Sequence, residues 1–308
     1  MWSSFFDPHP PYLVPEPWAS MYDPDQLSVP KLVPGEHEKN PPHFGLTQEE
    51  NPDFSPYKET EIGNIGFHSH SHVTEEEAKK NMAIYYGMIS MMDHYIGKIL
   101  DQLDTLGLTD QTIIVFTTDH GHFFGQHGLH DKGGFHYEDV LKLPFIVRYP
   151  GHIPAGKVSN SMQSLVDLAP TFLSFANLSI PGPYGGGRSK RCLAWERTPY
   201  GGGRSKRCLA WERTSSKGII LSVNIGLCEY RTQPTAVHQK TYVDERYKIT
   251  VYYNRTYGEI FDLEADPQEL NNLWDDPKYL DLKANLLLKY AWAELGIEPL
   301  PMPRISGA

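Results

Sequence analysis

Apolar positions recur at helical spacing through one long stretch of this chain. Met82, Tyr85, Tyr86, Ile89, Met92, Ile96, Ile99, Leu100 and Leu103 share a face. The stretch opens at Thr74-Glu75-Glu76-Glu77, where Thr74 can cap the first turn and Glu77 can reach back to it. Acidic residues there suit the positive end of the helix dipole, and Gly107 marks the stop. The expectation is a core-facing helix rather than a cofactor surface built from its Met and Tyr residues. The period then changes. Thr112-Ile113-Ile114-Val115-Phe116 has no helical repeat and reads as a buried parallel strand, and residues 143–149 read as another. A helix follows at 165–173, with Asp167 as its cap and Pro170 tolerated in its first turn. Residues 240–253 alternate as antiparallel strands with one wet face, and 257–263 form a further strand. Leu282, Ala284, Leu286, Leu287, Tyr290 and Ala291 make 280–295 an amphipathic helix. The pattern predicts an α/β domain followed by a small α+β subdomain with an antiparallel sheet and a terminal helix.

Other stretches lack a period. Residues 2–6 are apolar and aromatic and read as the middle of a strand, so the true amino terminus is expected to lie upstream. Asp7-Pro8-His9-Pro10-Pro11-Tyr12 breaks that strand and holds His9 on a stiff loop. Residues 14–66 are rich in Pro, Asn, Asp and Glu and read as a long surface excursion of the kind that shapes a substrate pocket. Phe67-His68-Ser69-His70-Ser71-His72 would align three imidazoles if extended; a pocket-lining role ranks above a transition-metal site, because no Cys or carboxylate completes the set nearby. Residues 183–198 recur unchanged as 199–214, each copy with four basic residues and one acidic one. Basic Gly-rich repeats with Trp195 and Trp211 suit nucleic acid, but two polar copies make neither a solenoid nor a core. A recent duplication or an assembly error is the preferred reading.

Composition narrows the classes. The chain has 308 residues, 40% hydrophobic and 21% charged, long enough for one large domain or two smaller ones. A net charge of -10 argues against a nucleic-acid partner, and no apolar run nears the roughly 18 residues of a membrane span. Cys192, Cys208 and Cys228 form no disulfide framework, which fits a reducing, cytoplasmic compartment.

The chemistry concentrates after the strand at 112–116. Thr117-Thr118-Asp119-His120-Gly121-His122 sets a carboxylate beside an imidazole where open α/β sheets bind ligands. Gly121 and Gly125 permit the bend that would aim both at one point. Lys132 follows thirteen residues after Asp119, past a loop rich in Gly and His. A metal-ligand pair with a nearby cation suits the binding and polarisation of an oxyanion. By its residues alone, the pair is as well explained as a simple turn, and His9 is better explained as a surface-turn residue facing water. His127 and His136 either line the pocket or face water.

Thr118-Asp119-His120-Gly121, Gly125-Gln126-His127-Gly128, Lys132 and Leu143-Pro144-Phe145-Ile146-Val147 resemble, in order and spacing, the second metal-binding segment of the sulfatase family of the alkaline-phosphatase superfamily. The Pro-His-Pro turn at His9 and the segment Asp266-Pro267-Gln268-Glu269-Leu270-Asn271-Asn272-Leu273-Trp274 are similar to the same family. The resemblance implies an alkaline-phosphatase-like mixed sheet flanked by helices. It implies the later part of the catalytic domain at 1–182, an irregular basic repeat segment at 183–228 and a C-terminal α+β subdomain at 229–308. It implies sulfuric ester hydrolysis of a sulfated small molecule or saccharide. Asp119 and His120 match metal ligands, with calcium expected and manganese possible. Lys132 matches the lysine on the sulfate and bridging oxygen, and His9 the histidine beside the leaving group. His238 and Arg246 are weaker candidates from the second domain. The family's nucleophile is a formylglycine made from Cys-x-Pro-x-Arg, and neither that motif nor Ser-x-Pro-x-Arg occurs here. The expectation is therefore a carboxy-terminal portion of a sulfatase, inactive alone. The alternatives are a phosphonate monoester or phosphodiester hydrolase of the same superfamily, and a non-catalytic binding protein on this scaffold. Oligomeric state is not legible.

Overall fold

The computed structural model describes residues 1–57, 68–159, 164–179 and 238–297, together with residue 162 and short strands at 195–197, 206–208 and 219–224. Most of the tandem repeat therefore lies outside the described residues. The chain divides into two compact units, whose boundary falls after Gly151.

The first unit opens with 1–12 in no regular element. The strand expected at 2–6 does not form: among the described residues it has no ladder partner, and Trp2 and Phe6 are exposed. Among its described residues, the excursion that follows contains one short helix, α1 (Pro42–Leu46), and three single-turn 3-10 segments. Helix α2 (Glu75–Thr105) starts at the expected capping box: Thr74 Oγ1 accepts from Glu77 N at 3.2 Å, and Glu77 Oε2 accepts from Thr74 N at 3.0 Å. Gly107, at φ +65°, lies just beyond its end.

The excursion decides which face of α2 is buried. Tyr12, Leu27 and Val29 pack on Ala78 and Met82 together with Phe124. The Trp18 carbonyl approaches Gly87 so closely that a Cβ there would meet it at 2.3 Å. Ala78, Met82, Ala83, Gly87 and Met88 are buried as a result, whereas Tyr86 and Ile89, expected in the core, are exposed.

Strand β1 (Ile114–Thr117) leads to the short ribbon of β2 (Phe123–Phe124) and β3 (His130–Asp131), followed by α3 (Glu138–Leu141) and β4 (Phe145–Arg148). β1 pairs with β4 antiparallel, placing Val115 opposite Val147 and Phe116 opposite Ile146. Among the described residues it has no parallel neighbour. One face is open, since Phe116 and Ile146 are both exposed. Apolar residues on both faces hid this from the pattern, because only the pairing tells a wet face from a dry one.

The second unit holds α4 (Leu168–Phe175), preceded by a 3-10 turn in which Asp167 Oδ2 accepts from Ser164 N at 3.0 Å. Ser164 and Asp167 thus cap reciprocally, one turn earlier than expected. Strands β5 (Trp195–Arg197) and β6 (Lys206–Cys208) pair antiparallel. β7 (Ile219–Asn224), β8 (His238–Val243), β9 (Tyr247–Tyr252) and β10 (Gly258–Asp262) form a four-stranded antiparallel sheet in the order β10-β9-β8-β7. Helix α5 (Leu280–Ile297) closes the unit as its periodicity predicts.

Tyr242, Ile249, Ile260, Leu273, Trp274 and Leu286 make the core. Asn272 splices the turn before α5 to β10. Its Oδ1 accepts from Ile260 N and Trp274 N, each at 3.0 Å, and its Nδ2 donates to Gly258 O at 3.0 Å. The sheet has no wet face at β9 and β10, contrary to its alternation. Thr241, Lys248 and Thr250 are buried, with Lys248 ion-paired to Glu269 and the two threonine hydroxyls bonded at 2.8 Å. Partnered polar groups can be buried at modest net cost, which alternation cannot reveal. Arg246 is held by Asp262, Nε and Nη2 donating at 3.1 and 2.7 Å; the side chain of His238 lies outside the described residues.

Candidate active site

The turn after β1 is built by close backbone approach. Gly121 N donates to Val140 O at 2.9 Å, and a Cβ at Gly121 would lie 1.9 Å from the Asp139 carbonyl. Gly121 is therefore needed for proximity to α3 rather than for an unusual backbone angle. Gly125 does adopt one, at φ +104°, and also abuts the Pro30 carbonyl.

On this turn Asp119 is exposed, and its Oδ1 accepts from His120 N at 3.0 Å and from Thr118 Oγ1 at 3.3 Å. Its Oδ2 lies 3.5 Å from His120 Nε2. Partial burial raises the Asp119 carboxyl, but the pull of His120 in its protonated form, backbone N–H groups and the Thr118 hydroxyl outweigh it and hold the group below its ordinary value. Lys132 Nζ stands 3.0 Å from His120 Nε2, and His120 Nδ1 stands 2.8 Å from Gly121 O. An ammonium can only donate and a carbonyl can only accept. His120 is thereby fixed with its proton on Nδ1 and its Nε2 lone pair turned toward Lys132 and Asp119.

That arrangement fits a metal ligand pair. A ligating histidine ordinarily donates its other N–H to a backbone carbonyl, as His120 does to Gly121. The Nε2 lone pair and the second carboxylate oxygen face one region, which the Lys132 ammonium already approaches. No cluster of three or more metal-ligating side chains occurs among the described residues, where Asp119 and His120 stand as a pair.

Three of the four expected residues are therefore together. His9 lies on the exposed turn with its own contacts: its N–H donates to Phe6 O at 3.2 Å, Nδ1 donates to Pro10 O at 2.7 Å, and its ring lies 4.9 Å from that of Phe6. With Nδ1 as donor, Nε2 is left without a partner among the described residues.

Two neighbouring constellations were not read from the sequence. Tyr12 Oη lies 2.6 Å from His122 Nε2 and donates to Asp131 Oδ1 at 3.1 Å, joining the His9 turn to the residue before Lys132. Burial draws the His122 imidazole down to about 4, against a smaller opposing effect of Asp131. The second is buried: His127 Nδ1 bonds Glu36, and Nε2 lies 3.5 Å from Asp139 Oδ2. The His127 ring stacks on Tyr137 at 3.5 Å and 3°. Burial lowers the His127 pKa, but its bonds to Asp139 and Glu36 prevail, so it is raised overall. His127 and His136 are both buried, so neither is a solvated loop residue. His68, His70 and His72 are not on an extended strand; only His70 is buried, its Nδ1 accepting from His130 N at 3.1 Å. That bond occupies the Nδ1 lone pair of His70 and places its proton on Nε2.

Comparison with known proteins matches residues 3–178 to the profile of the family described as Sulfatase, and residues 222–293 to that described as N-sulphoglucosamine sulphohydrolase, C-terminal. The N-acetylglucosamine-6-O-sulfatase of Bacteroides thetaiotaomicron is 33% identical over 207 residues, covering 67% of this chain and 34% of the relative. A solved structure in complex with its substrate, D-glucosamine-2-N,6-O-disulfate, aligns with a TM-score of 0.59 at 28% identity, covering 72% of this chain and 42% of that one. The phosphonate monoester hydrolase of Agrobacterium radiobacter aligns with a TM-score of 0.73 at 24% identity, covering 96% and 56%. The chain thus spans between about a third and just over half the length of these relatives.

Proposed function

Starting from the fact that this chain belongs to the sulfatase family, we propose that it carries the cation-binding and anion-gripping side of a site that hydrolyses sulfate esters of saccharides. Asp119 and His120 would hold a divalent cation, with calcium favoured by the carboxylate and manganese by the imidazole. Such an ion supplies Lewis-acid polarisation of a sulfuryl oxygen when bound. Lys132 donates to the sulfuryl and bridging oxygens, neutralising charge that grows as the ester bond breaks. His9, protonated at Nε2, gives its proton to the departing alkoxide, while the Nδ1 bond to Pro10 O holds the ring in orientation. The sequence contains no Cys-x-Pro-x-Arg or Ser-x-Pro-x-Arg, so no nucleophilic step is assigned to these residues.

The observation that carries this reading is the His120 geometry, with its proton on the Gly121 side, its Nε2 lone pair accepting from Lys132, and Asp119 Oδ2 3.5 Å from the same nitrogen. A saccharide ester is supported by the N-acetylglucosamine-6-O-sulfatase relative and by the neighbour solved with a disulfated glucosamine. Titration calorimetry with calcium and with manganese is the test. One ion should bind per chain, with at least tenfold weaker binding in Asp119→Asn and in His120→Ala. Equal affinity in all three proteins would remove the reading.

The second reading, a phosphonate monoester hydrolase, draws on the wider coverage of this chain by the Agrobacterium radiobacter enzyme. Protection of Lys132 from acetylation by inorganic sulfate, against phenylphosphonate, separates the two.

A further inference from the structure

Tyr12 occupies a position that neither the metal pair nor the proton donor explains. Its hydroxyl donates to Asp131 Oδ1 at 3.1 Å, so its single proton is committed there. The His122 Nε2 contact at 2.6 Å must then run the other way, with the imidazole N–H donating to the phenol oxygen. The chain of bonds has one direction, from His122 through Tyr12 to Asp131. The ring is gripped as well, by Tyr85 at 6.2 Å, Phe124 at 5.9 Å and His122 at 6.0 Å.

Both ends of this contact adjoin the site. On one side, only Pro10 and Pro11 separate Tyr12 from His9, and two prolines leave the backbone little freedom between them. On the other side, Asp131 directly precedes Lys132 and sits at φ +62°, a left-handed conformation that aspartate tolerates. Holding Tyr12 on Asp131 therefore holds the segment that bears His9 against the segment that bears Lys132. Among the described residues, the contacts of His9 itself run to Phe6 and Pro10 within its own turn and do not do this.

We propose that Tyr12 is a positioning residue, whose hydrogen bond to Asp131 sets the His9 turn and the segment that bears Lys132 at a fixed separation so that both reach one sulfuryl ester. The proposal rests on reading His9 and Lys132 as two sides of an anion site. Tyr12 touches no reacting atom; it acts through its neighbours. A carboxamide at residue 131 keeps the accepting oxygen, so Asp131→Asn should preserve the device and Asp131→Ala should not.

The test is hydrogen exchange by mass spectrometry on the 308-residue chain and its Tyr12→Phe, Asp131→Asn and Asp131→Ala variants, with Lys132 acetylation rates measured alongside. Tyr12→Phe and Asp131→Ala should speed exchange at the amides of residues 7, 9 and 12, the non-proline positions of this segment, about tenfold or more, with residues 75–105 and 238–262 unchanged. Asp131→Asn should match the unaltered protein. The inorganic sulfate concentration that half-protects Lys132 should rise about tenfold in Tyr12→Phe and return in Asp131→Asn, a pattern that general loosening would not give. Unchanged exchange at 7–12 in Tyr12→Phe overturns the proposal, as does a uniform rise across residues 1–151. Should sulfate fail to protect Lys132 even in the unaltered protein, the anion-site reading falls, and the exchange pattern alone still decides the role of Tyr12.

Discussion

His127 sits between two carboxylates with both ring nitrogens engaged, and His70 is buried with no carboxylate among its hydrogen-bond partners, so the two titrate in opposite senses. The His127 pKa is raised, so its stabilisation is complete below the unfolded value and is lost as pH rises through the folded one. The His70 pKa is depressed to about 3 by burial first, then by His68, His130 and His72. Its neutral form is favoured by folding, so this contribution is complete above the unfolded histidine value and drains away as pH falls toward about 3. At about pH 5 the loss would be on the order of 2 kcal/mol. Urea midpoints measured across pH should therefore show two limbs. Glu36→Gln should flatten the alkaline limb and His70→Asn the acid limb; a His70→Asn profile that follows the unaltered protein below about pH 6 would contradict this account. Neither environment is legible in the sequence. Glu36 lies 91 residues from His127 and Tyr12 lies 119 from Asp131, and long-range pairing leaves no periodic trace. The proximity of Asp119, His120 and Lys132 was legible because only the short β2–β3 ribbon separates them along the chain, so local order already confines them.

At the scale of elements, local signals held and partner-dependent ones did not. The Thr74–Glu77 box, the stop near Gly107 and the terminal helix depend on residues a few positions apart, and all appear where expected. β1 and the exposed face of α2 depended instead on what lies across from them, and there the pattern misassigned Phe116, Tyr86 and Ile89. The capping box is open to measurement. Thr74→Ala removes the acceptor for Glu77 N and one reciprocal partner, and should cost about 1 kcal/mol. Hydrogen exchange should rise in the first turn of α2 and leave its middle untouched. Thr74→Asp keeps an acceptor and should recover most of the loss; equal stability of Thr74→Ala and the unaltered protein would show that the cap contributes nothing.

Two compact units in one chain make a single unfolding free energy an incomplete description of the molecule. The second unit has its own core around Trp274 and its own buried ion pair, Lys248 with Glu269. The proposed cation ligands Asp119 and His120 both belong to the first unit. A ligand that binds only the folded form stabilises by an amount set by its concentration over its dissociation constant, about 2.7 kcal/mol at a hundredfold excess. That energy can reach only the structure whose unfolding abolishes the site. Saturating calcium should therefore slow exchange in residues 114–148 and leave residues 247–262 and 280–295 at their original rates. Asp119→Asn should erase the protection. Equal protection of both regions would mean that they unfold together, and the division into separately stable units would have to be given up even with the metal pair intact.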